Sequence, residues 1–358
     1  MAKVVVGMSG GVDSSVTAAL LQKAGYEVYG AFIRVWEPAL PSGRPAGVPG
    51  VCDWRQERRD ALRVAAHLGI TLETVDAQDL YKKDVVDEML AEYARGRTPN
   101  PDVLCNRTVK FEVLMDYARS IGADTIATGH YARTKNGKLF TGVDREKDQS
   151  YFLWGVSEKL LLRTLFPVGE MTKKEVREYA AHVGLPNAQK KDSQGVCFIG
   201  PVDVKDFLRA FIKTEKGSVR DEMGRSIGTH PGVPLFTFGE RHGFTVTDVE
   251  ARKTPLYVVG KDVEHNMLTV SATPLLSEKN SQEITLEQTN WIGEEPKEAT
   301  EYSARLRYRA PLIKAQIRSE TSLGSLTSIL LTEPTLATPG QSLVLYDGEE
   351  CLGGGIIV

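Results

Sequence analysis

An α/β fold is predicted: a doubly wound parallel sheet domain, then a small β-rich domain and a C-terminal antiparallel β-barrel-like domain. Three observations on this 358-residue chain predict it. Short Val- and Ile-rich runs alternate with helical spacings up to about residue 205, Gly- and Pro-punctuated alternating runs replace them afterwards, and a glycine-rich loop separates the first strand from the first helix. Alternation of the first kind implies parallel strands covered by helices on both faces.

The elements follow in order. Val4 to Met8 reads as a buried strand, Ser14 to Ala24 as a helix ended by Gly25, and Glu27 to Ile33 as the next strand, which makes a βαβ unit. Trp54 to Leu68 repeats apolar residues at helical spacing until Gly69, and Ile70 to Val75 is strand-like. Val85 to Tyr93 and Val109 to Ile121 are further helices, and Asp124 to Thr128 is a short strand. Beyond residue 205 the runs Leu256 to Gly260, Met267 to Ser271, Ile313 to Ile317 and Ser342 to Tyr346 read as antiparallel strands of a barrel or sandwich. The expected division is 1–205, 206–275 and 276–358. Pro38 to Gly50 is expected to be a long functional loop.

Composition narrows the class. With 41% hydrophobic residues, 25% charged residues and a net charge of -3, the chain reads as globular and does not coat nucleic acid through bulk positive charge. No apolar run approaches the roughly 18 residues of a membrane helix, so no membrane partner and a cytoplasmic location are expected. Four cysteines, Cys52, Cys105, Cys197 and Cys351, form no C-x-x-C pair, so neither a disulfide scaffold nor a metal site is expected. In a reducing compartment such cysteines are buried or chemical.

The loop Gly7-Met8-Ser9-Gly10-Gly11-Val12-Asp13-Ser14 is placed to aim backbone N–H groups and a helix N-terminus at phosphate. It is neither a Walker A loop nor a dinucleotide fingerprint. The bland alternative is a Gly-Gly turn with Ser14 capping the helix. Its Ser-Gly-Gly-x-Asp-Ser core resembles the PP-loop of ATP pyrophosphatases, which cleave ATP to AMP and pyrophosphate. Two further runs, Asn100-Pro101-Asp102-Val103-Leu104-Cys105-Asn106 and Ser193-Gln194-Gly195-Val196-Cys197-Phe198-Ile199-Gly200, make the chain similar to the tRNA-specific 2-thiouridylases. Thr128 to Tyr131, Lys147 to Leu153, Leu165 to Glu170 and Thr338 to Gln341 extend the resemblance along the chain.

The residues make chemical sense beside the resemblance. Pyrimidine O2 is a poor leaving group and needs activation by ATP before sulfur attacks, and a sulfur nucleophile needs a thiolate or persulfide, favoured near helix N-termini or cations. Cys105 has Arg107 and Lys110 nearby, and Cys197 follows Lys190 and Lys191. The resemblance implies that Cys197 carries a persulfide, that Cys105 is its partner and closes a disulfide with it, and that Asp102 is a general acid/base. It further implies nucleotide contacts from the loop, Ile33 and Gly129, and RNA contacts from Asn100, Pro101, Asp102, His130, Lys147, Asp148, Gln149, Arg307, Tyr308 and Gln341. Read as a strand, Arg305 to Arg309 puts three arginines on one face.

ATP with Mg²⁺, a tRNA with a wobble uridine and an upstream persulfide-donating sulfur carrier are the implied cofactors and partners, with a monomer when free. Two departures from the family pattern are Glu240 in place of glutamine and a short loop up to Pro255. Cys52, Cys351 and His67 are read as structural. The competing readings are a PP-loop amide ligase acting on a small molecule and a non-catalytic nucleotide-sensing RNA-binding protein.

Overall fold

Val4, Val5 and Val6 are fully buried and set the layering of the first domain. Alternate residues of a strand face opposite ways, so Val5 packs with Leu114, Met115 and Ala118 on one face. Val4 and Val6 pack with Val16, Val64 and Val176 on the other. Each such burial contributes roughly 1.5–3 kcal/mol. The computed structural model describes residues 1–37, 54–192, 204–273, 281–320 and 326–358.

The first domain contains β1 (Lys3–Gly7), β2 (Glu27–Arg34), β3 (Thr71–Asp76), β4 (Thr125–Ala127), β5 (Ala132–Lys135), β6 (Lys138–Thr141) and β7 (Thr164–Leu165). Its sheet runs β3-β2-β1-β4-β7, all parallel. Val6 pairs with Gly30 on one side and Ala127 on the other. Strand order reverses between β1 and β4, and ligands of open α/β sheets bind at the carboxyl ends beside such a reversal. Val12–Lys23, Trp54–Leu68 and Lys173–His182 cover one face, and the helical stretch 101–120 covers the other.

Two helices are longer than the sequence suggests. The stretch 78–94 has a π-helical middle, Lys82–Asp87, and 101–120 has another at Asn106–Lys110. Between them residues 97–100 have no regular secondary structure.

The middle domain is a five-stranded sheet in the order Thr245–Val246, Ser226–His230, Gly217–Arg220, Met267–Ser271, Tyr257–Asp262. One pairing, Met267–Ser271 with Gly217–Arg220, is parallel, a departure from the all-antiparallel expectation. Its core is continuous with the helix 78–94: Val219, Val258 and Phe207 pack in one cluster with Tyr81, Val85 and Met89. Glu240, the unusual residue, accepts from Lys205 and from the Thr237 N–H.

The last domain is a closed antiparallel barrel rather than a sandwich. Six strands follow one another as Ser281–Trp291, Thr327–Thr335, Ile313–Glu320, Tyr302–Arg305, Ser342–Asp347 and Glu350–Ile357, and the last pairs back with the first. The β5–β6 hairpin of the first domain adds to this sheet, Leu139 pairing with Cys351 and Phe140 with Glu350. Sequence reading left that hairpin unassigned. Cys351 is fully buried there, and burial pushes its thiol up to about 12. Among the described residues no helix is long and apolar enough to cross a membrane.

Candidate active site

The loop after β1 closes on itself and on the helix it starts. Gly11, not Ser14, occupies the N-cap, so the cap has no side chain to offer the first-turn N–H groups. Ser14 lies inside the helix: its hydroxyl donates to the Gly11 carbonyl at 3.1 Å and accepts from Ser9 N–H at 3.3 Å. Ser9 is exposed at the tip. Gly10 adopts φ +74°, and a Cβ there would stand 2.3 Å from the Glu57 carbonyl oxygen. Met8 N–H donates to the Ala31 carbonyl at 2.8 Å, which sets the loop beside the end of β2 and the half-buried Ile33. An uncapped helix end among closely packed glycines fits a polyphosphate.

Residues outside the motif brace the loop. Asn187 Nδ2 donates to the Gly10 carbonyl at 3.0 Å and to Ser15 Oγ at 2.9 Å, and Lys190 reaches the same carbonyl at 3.2 Å and Asp60 at 2.8 Å. Asp13 accepts from Tyr131 Oη at 2.8 Å and Lys173 Nζ at 2.7 Å. Lys173 also bridges to Asp192 at 2.8 Å, which takes Lys147 at 2.9 Å and Arg177 at 2.6 Å. Burial opposes ionisation of Asp192, but Lys173 and Lys147 outweigh it and hold the carboxyl at about 2. Burial and the Asp13 charge hold the Tyr131 phenol protonated. Sequence reading missed Asn187, Lys173, Arg177 and Asp192; each lies far from the loop in sequence and carries no spacing signal.

Among the described residues no three His, Cys, Asp or Glu side chains form a metal cage. Mg²⁺ held chiefly by phosphate oxygens, with one carboxylate such as Asp13, needs no such cage.

Asp102 and Cys105 share one face of the helical stretch 101–120. Asn100 is its N-cap, accepting from the Asp102 and Val103 N–H groups at 3.2 and 3.3 Å, and Pro101 takes the first turn, where a missing N–H costs nothing. Asp102 Oδ1 is shielded from solvent and has no partner among the described residues. Cys105 is 3% exposed. It sits within the helical stretch rather than ahead of it, and burial raises its thiol pKa; Lys110 and a hydrogen bond from Tyr81 oppose that shift, while Asp102 adds to it. Cations are near the thiol, but desolvation outweighs them. Cys197, with Cys52, lies outside the described residues.

Gly129 and His130 link the two halves. A Cβ on Gly129 would stand 2.6 Å from Ser14 N. His130, one residue on, stacks on Phe111 at 5.9 Å, meets the edge of Phe166 at 6.0 Å and bonds Thr128 Oγ1 through Nδ1 at 2.6 Å. Burial, with Lys110 nearby, keeps its ring neutral.

The other RNA candidates are dispersed and already engaged. Lys147 is paired with Asp192. Asp148 is 3% exposed and accepts from Gly142 N–H, Ser150 and Arg305, each at 3.1 Å, so it faces the barrel rather than solvent. Gln149 Oε1 accepts from Tyr131 N–H at 3.0 Å. The strand expected at Arg305 to Arg309 ends at Arg305. Arg309 has φ +62° in the following turn, which turns the three arginines apart: Arg305 to Asp148, Arg307 to Thr338 Oγ1 at 2.7 Å, Arg309 to the Glu146 carbonyl at 3.1 Å. Arg307 and Arg309 are nonetheless exposed, and Tyr308 packs 4.5 Å from Phe152. Gln341 Nε2 donates to the Thr98 carbonyl at 2.7 Å.

Family models match in three consecutive pieces: a tRNA methyl transferase HUP domain at residues 2–201, a tRNA methyl transferase PRC-barrel domain at 205–272 and an aminomethyltransferase beta-barrel domain at 281–357. The chain is 44% identical over 366 residues to the tRNA-specific 2-thiouridylase MnmA of Burkholderia thailandensis, covering 99% of this chain and 93% of that one. It is 44% identical over 361 residues to the protein of the same name from Ralstonia nicotianae, covering 99% and 95%. A solved 4-thiouridine synthetase–RNA complex with bound ATP is 20% identical, covers 58% of this chain and 50% of that one, and aligns with a TM-score of 0.38.

Proposed function

The chain belongs to the tRNA-specific 2-thiouridylase family, and from that premise we propose that it thiolates C2 of the wobble uridine of tRNA at the expense of ATP. The family models carry names of methyl and aminomethyl transfer, whereas the full-length relatives are named for thiolation. The residues favour sulfur: a phosphate-binding loop and a cysteine beside a carboxylate suit activation by ATP followed by sulfur attack. One observation carries the reading. The Gly129-His130 turn is packed between the helix N-terminus at Ser14 and Phe111, on the helical stretch that carries Asp102 and Cys105.

In the proposed sequence uridine O2 attacks the α-phosphorus of ATP, pyrophosphate departs and an adenylated tRNA forms. The Gly10-Gly11 loop and the first-turn N–H groups would hold the phosphates with Ser9 beside them, and Asp13 would help hold Mg²⁺, which would supply charge neutralisation there. Gly129 and Ile33 border the nucleoside. The terminal sulfur of a Cys197 persulfide then attacks C2 and AMP leaves. Cys105 attacks the Cys197 sulfur, the S–S bond breaks toward the uridine, and a Cys105–Cys197 disulfide remains for an external dithiol to reduce. Asp102 moves the protons, and its Oδ1, which has no partner among the described residues, suits a carboxylate whose partner is the substrate.

Asn100, Pro101, His130, Lys147, Gln149, Arg307, Tyr308 and Gln341 remain the proposed RNA-side residues, with Asp148 supporting them from beneath. An upstream persulfide carrier, a monomeric free state, a cytoplasmic location and the division near residues 205 and 275 belong to the same proposal.

Incubating the protein with unmodified tRNA, ATP, Mg²⁺, a persulfide donor of sulfane sulfur and a dithiol reductant should yield 2-thiouridine by mass spectrometry, with AMP and pyrophosphate formed in step. ATP turnover without thiolation across several tRNAs would favour the amide ligase, and no turnover at all the passive nucleotide sensor.

A further inference from the structure

Residues 97–100 join two helices without regular structure of their own, so tertiary bonds set where Asn100 begins the stretch bearing Asp102 and Cys105. Those bonds come chiefly from the barrel. The buried Thr98 donates its N–H to the Pro339 carbonyl at 2.8 Å and accepts Gln341 Nε2 on its carbonyl at 2.7 Å. Gly340, at φ +90°, approaches so closely that a Cβ would lie 2.8 Å from Thr98 N and 2.9 Å from its carbonyl carbon. Arg97 reaches Glu287 at 2.6 Å and the Ile357 carbonyl at 3.1 Å, and the Thr98 hydroxyl meets Thr237 of the middle domain at 3.3 Å. The far end of the turn is tied to Arg307 through Thr338, which is 1% exposed.

We propose that the barrel turn 338–341 is a positioning device for the chemical segment. Gln341 and Gly340 act through Thr98 and the Asn100 cap to hold Asp102 in place and Cys105 covered. The barrel thereby does more than present a surface to RNA: it fixes the start of the helical stretch on which the chemistry depends. The inference rests on the reading of Asp102 and Cys105 as chemical residues, but its test does not require thiolation to be observed.

A buried thiol is alkylated only through local opening, so its rate reports how firmly the segment is held. In the RNA-free full-length protein, iodoacetamide labelling of Cys105, followed by peptide mass spectrometry, should be about two- to tenfold faster in Gln341→Ala, the factor that corresponds to the net worth of one hydrogen bond. At saturating tRNA the same variant should lose kcat while its KM for ATP stays unchanged. Gly340→Ala should move both readouts further in the same direction; if it fails to fold, Gln341→Ala still decides. Gln282→Ala is the matched control, since Gln282 bonds a barrel carbonyl, Thr332, away from this turn.

Unchanged Cys105 labelling and kcat in Gln341→Ala, with only the KM for tRNA raised, would reduce Gln341 to an RNA contact and overturn the proposal. Equal acceleration by Gln282→Ala would overturn it too, as general loosening of the barrel. A wild-type protein that makes no 2-thiouridine would instead sink the chemical reading, and the labelling comparison would still judge the positioning role.

Discussion

Gly129→Ala tests the junction between the glycine-rich loop and the helical stretch that carries Asp102 and Cys105. The added methyl would sit 2.6 Å from Ser14 N, 2.8 Å from the Asp13 carbonyl carbon and 3.0 Å from Ser14 Cα, all backbone atoms of the first helical turn. Ordinary contact begins near 3.4 Å, so the two backbones must part by up to about 0.8 Å. They have little room to do so, because Asp13 is held by Tyr131 and Lys173, and the loop by Asn187 and Lys190. Forced overpacking of this kind costs roughly 1–3 kcal/mol. At roughly 2–4 °C per kcal/mol for a domain of this size, the melting temperature should fall by several degrees. Catalysis should suffer more than stability: a shift approaching 1 Å in the groups that hold a reacting phosphate costs on the order of 10²-fold. Differential scanning fluorimetry, ATP binding by calorimetry and pyrophosphate release at saturating tRNA measure the three effects. A variant with wild-type melting, ATP affinity and pyrophosphate release would refute the close approach, and with it the placing of Gly129 at the nucleotide.

Asp192 should contribute acid-sensitive stability: its folded pKa is depressed from 3.8 to about 2, so the contribution is complete above about pH 4 and is lost as pH falls toward 2. After allowance for solvent screening it is worth about 1 kcal/mol, and urea titrations of Asp192→Asn and wild type should converge over that window; a constant gap would refute the assignment. On the proposed persulfide relay, Cys105→Ser and Cys197→Ser should each abolish thiolation while α-labelled ATP still adenylates tRNA, and combining them should add little because residues acting as a unit are non-additive. Cys351→Ser should keep activity at a stability cost of about 1–3 kcal/mol for a buried hydroxyl; an inactive but folded Cys351→Ser would draw that cysteine into the chemistry. Binding of tRNA should weaken steeply with salt, and Arg307→Ala should lower the slope of log K against log salt by about one; an unchanged slope returns Arg307 to an ordinary surface residue.

What the sequence made legible was local. Val4 to Val6, the glycines after them and the turn at Gly129 carry their structural meaning in consecutive residues, because a buried strand, a phosphate loop and a strand-to-loop crossing are each short motifs. The β5–β6 hairpin was illegible because its partner, Glu350–Ile357, lies some two hundred residues away and a four-residue strand has too little periodicity to announce itself. The Asp13–Lys173–Asp192 bridge was illegible for the same reason. Arg305 to Arg309 misled because alternation alone says strand, while the strand ends at Arg305 and the following turn sends the arginines to three separate partners, Asp148, Thr338 and the Glu146 carbonyl. Asn100-Pro101 carried a helix-start signal that the sequence reading gave over to RNA, and the structure uses it as the cap.

Cys105 shows why motif and reactivity have to be argued separately. The motif places a cysteine three residues after an aspartate and ahead of Lys110, an arrangement that on charge alone promises a thiolate. Packing reverses the promise, for the thiol lies among Tyr81, Val85, Met89 and Phe207, where a charged sulfur would be desolvated and a neutral one is merely another apolar group. A thiol held neutral is a weaker nucleophile than a thiolate. In the described arrangement the cysteine is therefore covered as well as neutral, and the same packing that holds its segment in place holds its charge off. Two π-helical turns, Lys82–Asp87 and Asn106–Lys110, flank the buried thiol, and π-helical geometry is a recurrent feature of functional segments. The helix Phe111–Ser120 beyond them is anchored separately, by Leu114, Met115 and Ala118 against Val5, so the packing that ties this helix to the parallel sheet is distinct from the packing that covers the thiol.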